Sequence, residues 1–71
     1  MACRMNVIQI LAAVGDNDLM VYVVNSDGSE IWVRDGNRDA TGVYLMFGEF
    51  GDGVSARYPN ATTFDVRTVR L

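Results

Sequence analysis

Residues 19–34, LMVYVVNSDGSEIWVR, contain the pattern that decides the fold. The segments 19–24 and 29–34 are rich in β-branched and aromatic residues, which favour β-strands. The turn segment 25–28 (NSDG) separates them, and these residue types favour a tight turn. Gly28 can adopt the positive φ that closes a type I turn followed by a bulge. The stretch therefore predicts an antiparallel β-hairpin.

Strand-like segments continue toward the C-terminus. Residues 43–47 (VYLMF) are continuously apolar and predict a buried strand, and residues 54–58 predict a short strand that a proline ends. Residues 63–71 predict the last strand, near a sheet edge, where Arg67 and Arg70 would discourage edge-to-edge pairing. The intervening glycine-rich residues 48–53 lack the Lys and Ser/Thr of a phosphate-binding loop, so we expect a bend or bulge there.

The segment 4–14 is ambiguous. Apolar residues at positions 7, 10, 11 and 14 match the helical spacing, and Gly15 could follow the helix. Four of its residues are β-branched and no favoured N-cap precedes residue 4, so we expect a strand. The predicted fold class for the single domain 1–71 is therefore all-β, a small antiparallel sheet or barrel of five to six short strands. The alternative is α+β, with a helix at 4–14 packed on an antiparallel sheet.

Composition limits the function classes. The 71-residue chain has net charge −3 and no histidine, so acid–base catalysis lacks its commonest group. We expect no enzyme activity, no catalytic residue, no cofactor and no metal. Cys3 is the only cysteine, and no secretory signal or membrane span is evident, so the expected compartment is the cytoplasm. The hydrophobic content of 49% is high for a small chain, and part of it is expected to contact another protein or another copy.

Residues 34–42 (RDGNRDATG) predict a polar connecting loop, with a partner-contacting loop as the second interpretation. A calcium loop is the third, because Asp35, Asn37 and Asp39 alternate as oxygen ligands would. An EF-hand counted from Asp35 needs Gly at position 6 and Glu at position 12. Those positions hold Ala40 and Met46, so the calcium interpretation is disfavoured.

Trp32 is the first candidate for a binding residue. In a strand it shares a face with Glu30 and Arg34, while Ile31 and Val33 point the other way. An outward aromatic beside charged residues is typical of an interface anchor. The alternative is a strand buried on both faces, with Trp32 in the core. The candidate protein-binding residues are Trp32, Arg34, Asp35, Arg38, Asp39 and Tyr22.

The leading hypothesis is a non-catalytic protein-binding module. One version is a phage or mobile-element inhibitor of a host nucleic-acid machine, such as an anti-CRISPR protein, which presents carboxylates where phosphates would lie. The aspartates in predicted loops are Asp16, Asp18, Asp27, Asp35, Asp39 and Asp52. The first alternative is a structural homo-oligomeric β subunit. The second is a small-barrel nucleic-acid binder using Arg57, Tyr58, Arg67 and Arg70, which the acidic net charge disfavours.

Overall fold

The computed structural model describes residues 2–48 and 54–71. They form one six-stranded antiparallel sheet and one short helix, which confirms the predicted small antiparallel sheet. The strands lie in the order β1-β6-β2-β3-β4-β5, so β1 and β5 are the edges. The elements in chain order are β1 (Cys3–Asn6), α1 (Val7–Val14), β2 (Leu19–Val24), β3 (Glu30–Asp39), β4 (Gly42–Phe47), β5 (Ser55–Tyr58) and β6 (Thr63–Arg70).

The central hairpin is formed by β2 and β3. Gly28 has φ 86°, and its N–H donates to the Asn25 carbonyl at 2.9 Å. The Asn25 N–H donates to the Ser29 carbonyl at 2.7 Å, which closes the loop. This hydrogen-bond pattern is the predicted type I turn with a glycine bulge. The register that follows places Tyr22 directly opposite Trp32.

The prediction of a loop at 34–42 is wrong for most of that segment. Strand β3 continues to Asp39, and only Ala40 and Thr41 connect it to β4. The pairing with β4 shifts between Val33 and Asp35, which marks a bulge at Arg34. Polar residues then recur at every second position on the side of the sheet that α1 does not cover. An antiparallel strand with one uncovered face tolerates such a pattern.

The N-terminal segment contains both a strand and a helix. The strand expectation holds only for Cys3–Asn6, and the helix alternative holds for Val7–Val14. Asn6 caps the helix, because its side-chain oxygen accepts from the Gln9 N–H at 2.9 Å. The Gln9 side chain accepts from the Asn6 N–H at 2.8 Å, which completes a capping box. Gly15 ends the helix with right-handed backbone angles.

The hydrophobic core lies between α1 and one face of the sheet. The helix contributes Val7 and Ile10, and both have 0% exposure. It packs chiefly against β3 and β2, whose alternate residues point toward it. We call this side the inner face and the opposite side of the sheet the outer face. The sheet contributes Val21, Val23, Val33, Val43, Leu45, Phe47 and Val66 to the core.

Strand β6 is the last strand and lies one strand from an edge, but it is not itself the edge strand that Arg67 and Arg70 were expected to protect. Strand β6 pairs with β2 on one side and with β1 on the other. Because β1 adds outside β6, Arg67 and Arg70 do not protect a free edge. The N-terminal edge strand instead carries the exposed thiol of Cys3, the cysteine that the structure leaves unpaired.

Candidate functional site

Apolar and aromatic side chains line the middle of the outer face. The core residues Val21 and Val23 flank Tyr22 in β2, so strand alternation directs Tyr22 outward. Trp32 also points outward and is half-buried rather than part of the core. None of the described elements packs over these side chains. The outward apolar set is Met20, Tyr22, Val24, Trp32, Tyr44, Met46 and Val69.

An ion pair between β6 and β3 crosses the outer face above Tyr22. The Arg67 Nε and Nη2 atoms donate to the two Glu30 carboxylate oxygens at 2.5 and 2.8 Å. The Arg67 Cζ atom lies 4.9 Å from the Tyr22 ring centroid, within cation–π range. The bidentate bond lowers the pKa of Glu30 and raises that of Arg67. Arg67 therefore covers one face of the Tyr22 ring.

A second ion pair lies toward the opposite edge of the same face. Arg57 in β5 donates from Nη1 to the Asp39 carboxylate and to the Thr41 hydroxyl, the latter at 2.8 Å. Its Cζ atom lies 5.7 Å from the Tyr44 ring centroid. The Tyr44 hydroxyl donates to Ser55 Oγ at 2.6 Å. The Arg57 guanidinium, followed by hydrogen bonds from Thr41, holds the pKa of Asp39 well below its usual range.

The charges on the outer face balance. A third pair, Arg4 with Asp65, joins β1 to β6 at 3.6 Å on this side. Within residues 2–48 and 54–71, four arginines and four carboxylates occupy outward positions, with Arg34 placed there by the bulge before Asp35, so the described part of the face has no net charge. The sequence has six basic and nine acidic residues, so two basic and five acidic residues lie outside this outward set. These remaining residues account for the net charge of −3. The outward charged residues are Arg4, Arg34, Arg57, Arg67, Glu30, Asp35, Asp39 and Asp65.

The structure brings most of the predicted binding residues onto one face. Trp32, Tyr22, Asp35 and Asp39 lie on the outer face by their pairing, and Arg34 lies at the bulge beside them. Arg38 does not join them. Its β-bridge partner is the buried Val43, so it occupies an inner-face position at the end of the sheet.

Of the outward apolar set, the predicted site contained only Tyr22 and Trp32, and two of the residues absent from it lie in one strand. Tyr44 and Met46 lie in β4, where the uninterrupted run of apolar residues predicts burial on both faces. In the structure Val43, Leu45 and Phe47 are buried, whereas Tyr44 and Met46 are half-buried on the outer side. The signal that could have identified them is the period of two applied to this strand.

The residues proposed for nucleic-acid binding are divided between the faces. Arg57 and Arg67 are outward, and each is bonded to a carboxylate. Tyr58 pairs with Val43 and occupies an inner-face position. Arg70 lies 3.8 Å from Asp16, beside the turn that follows α1. The four side chains therefore do not form one basic surface.

The aspartates proposed as phosphate mimics are also dispersed. Asp16 and Asp18 precede β2 and Asp27 follows it, so they lie at opposite ends of that strand. Asp27 accepts hydrogen bonds from the Ser29 hydroxyl and, with a smaller effect, from the Ser29 N–H, and both lower its pKa. Asp35 and Asp39 are in β3 on the outer face. Asp52 and most of the glycine-rich segment 48–53 lie outside the described residues.

A groove of about 250 Å³ opens on the inner face. Three aromatic rings contribute to its wall. The Tyr58 ring stands edge-on to Phe47 at 6.3 Å and to Phe64 at 5.1 Å between centroids. Within residues 2–48 and 54–71, no three His, Cys, Asp or Glu side chains are grouped to hold a metal ion. The one helix of that part of the chain is too short to cross a membrane.

The two ion pairs predict how stability depends on pH. Arg57 and Arg67 lower the pKa values of Asp39 and Glu30 in the folded state, so the unfolded chain binds protons more readily. The stabilisation is present at neutral pH and is lost as pH falls from about 4.5 through the lowered values. We expect urea midpoints between pH 7 and pH 2 to decrease steeply below that point. The Glu30→Gln, Asp39→Asn double variant should have a shallower acid slope, and equal slopes would contradict the assignment.

Comparisons with protein-family models, with curated proteins and with solved structures find no match to this chain.

Proposed function

We propose that this chain is a non-catalytic protein-binding module that contacts its partner through the outer face. The observation that carries the proposal is the uncovered aromatic set of that face, with Tyr22 and Trp32 opposite each other and Tyr44 two strands from Tyr22. Tyr, Trp, Met and Arg are the residue types enriched at protein interfaces. All four types occur together on this face.

The outer face is also preorganised. Arg67 lies over the Tyr22 ring and Arg57 lies over the Tyr44 ring. Each guanidinium is bonded to a carboxylate, and that of Arg57 also donates to Thr41. Side chains that are already ordered lose less conformational entropy when a partner binds. Trp32 lies between these fixed groups, and its position fits that of a central anchor inside a charged rim.

The charge of the face favours a protein partner over a nucleic acid. Nucleic-acid binding draws its affinity from basic groups that neutralise phosphates. Here Arg57 and Arg67 are already bonded to Asp39 and Glu30, and a phosphate would have to displace those carboxylates. A neutral face of mixed sign instead matches the polar rim of a typical protein interface.

Inhibition of a host nucleic-acid machine, as by an anti-CRISPR protein, is the finer version of this proposal. Its support is the location of the acidic surplus. Asp16, Asp18 and Asp27 lie outside the outer-face set, so they stay accessible when that face is occupied. Because Asp27 lies at the other end of β2 from Asp16 and Asp18, these carboxylates can oppose separate basic groups on the target.

Trp32→Ala is expected to weaken partner capture at least tenfold. Truncating a central aromatic anchor typically costs about 2 kcal/mol or more of binding free energy. The measurement is a pull-down from nuclease-treated lysate that also contains a differently tagged copy of the chain, so foreign partners and self-association are both detected. Urea unfolding of the same variant should show that it remains folded.

Leu71→Ala is the matched control, because Leu71 is 74% exposed and lies beyond the end of β6. It should capture as much protein as the unmodified chain. Capture that is unchanged by Trp32→Ala would contradict the proposal. So would capture of nucleic acid alone, recovered only when nuclease is omitted.

A further inference from the structure

We propose that the partner of the outer face is a second copy of this chain, so that two sheets pack face to face in a symmetric dimer. This inference rests on the proposed function, because it uses the same binding surface and adds only the identity of the partner. The layers of the dimer would then be helix, sheet, sheet and helix, with α1 of each copy on the outside.

Charge self-complementarity is the first argument. In a two-fold dimer each surface meets itself, so a face of one sign repels its own copy. The described part of the outer face has no net charge, and both of its ends carry both signs. Arg4 and Asp65 lie toward the β1 edge, and Arg57 and Asp39 lie toward the β5 edge. Opposite charges therefore come within reach whichever edges meet.

The apolar centre of the face is the second argument. Sheets that pack face to face lie about 10 Å apart, and alternate side chains from the two surfaces interdigitate. Tyr22 and Trp32 supply large side chains at the centre, and Met20 and Met46 supply flexible ones that fill gaps. Packing of this kind would cover apolar side chains that α1 cannot reach. It also accounts for the high hydrophobic content of 49%.

The area of the face is the third argument. Six strands span roughly 24 Å and six-residue strands extend roughly 20 Å, which gives a footprint of about 500 Å². Two copies then bury about 1,000 Å² in total, the lower limit for a specific interface. A dimer of this size is weak, so we expect a reversible equilibrium in the micromolar range.

Analytical ultracentrifugation between about 1 μM and about 1 mM chain tests this inference, because the equilibrium depends on concentration. Arg67→Glu adds negative charge to a surface that meets itself and should raise the dimer dissociation constant at least tenfold. Arg70→Glu changes the net charge equally but lies off the outer face, so it should leave the dimer intact. The exchange Arg67→Glu with Glu30→Arg keeps the face neutral and should restore dimerisation.

The Trp32→Ala variant is an independent test, because this substitution leaves the ion pairs of the face intact. We expect this variant to be monomeric as well. A chain that stays monomeric at 1 mM would overturn the inference, as would a dimer that survives both Arg67→Glu and Trp32→Ala. If the monomer still captures a different protein in a Trp32-dependent manner, the inference fails while the proposed function stands. If neither association occurs, both fail.

Discussion

Replacing Gly42 with alanine is expected to lower the free energy of unfolding by about 3 kcal/mol or more. Gly42 starts β4 with φ 148°, a backbone conformation that a residue with a Cβ rarely adopts. An added Cβ would also lie 2.2 Å from the Tyr58 carbonyl oxygen, so β5 would have to move away from β4. A domain this small has a total stability of only about 4–10 kcal/mol. Urea unfolding followed by circular dichroism gives the difference directly.

Gly28→Ala is the matched control for this prediction. Gly28 also has a positive φ, 86°, but no heavy atom lies within 4 Å of the added Cβ. Its cost should therefore be limited to the left-handed backbone, about 1–2 kcal/mol. An equal loss in the two variants would show that backbone conformation alone matters. It would then rule out the close approach of β5 as the cause of the Gly42 effect.

The central hairpin could be predicted because its signals are local. The turn residues 25–28 and the β-branched flanks all lie within sixteen consecutive positions, residues 19–34. From the sequence, the outward direction of Trp32 and a core position are both open; the register of the structure places Trp32 outward and opposite Tyr22. The burial of Val33 beside a half-buried Trp32 follows from the alternation of that strand.

Two segments differ from their predicted structure because a single local property does not determine either of them. In 34–42 polarity was interpreted as a loop, although Asp35, Asn37 and Asp39 repeat with the period of a strand that has one uncovered face. The segment 4–14 contains the end of a strand and a whole helix, whereas its spacing and β-branched residues each predict one structure for the whole segment. The capping box between Asn6 and Gln9 lies inside that segment, and it marks the boundary between strand and helix.

The ion pairs of the outer face could not be predicted from local sequence. Arg67 and Glu30 are 37 residues apart, and they meet only because β6 lies beside β2. Arg57 reaches Asp39 across 18 residues because β5 pairs with β4. Strand order is a property of the whole sheet. The neutral charge of the face depends on that order, so it became evident only from the fold.

Ile10→Ala is expected to lower the free energy of unfolding by about 2–4 kcal/mol, the usual cost of removing a buried branched side chain. Ile10 has 0% exposure and is one of two fully buried residues of α1. A helix of eight residues is too short to be stable without tertiary packing, so weaker packing also weakens the helix. Urea unfolding followed by far-ultraviolet circular dichroism measures both effects.

Ile10→Val removes one methylene group and should cost only about 0.5–1.5 kcal/mol, which gives a graded series. Partner binding by the folded fraction should be unchanged in both variants, because Ile10 lies on the inner face and the proposed binding surface lies on the outer face. A loss of binding that exceeds the loss of folded protein would mean that α1 and the outer face are coupled through the sheet. A destabilisation by Ile10→Ala no larger than that of Ile10→Val would show that α1 does not anchor the core.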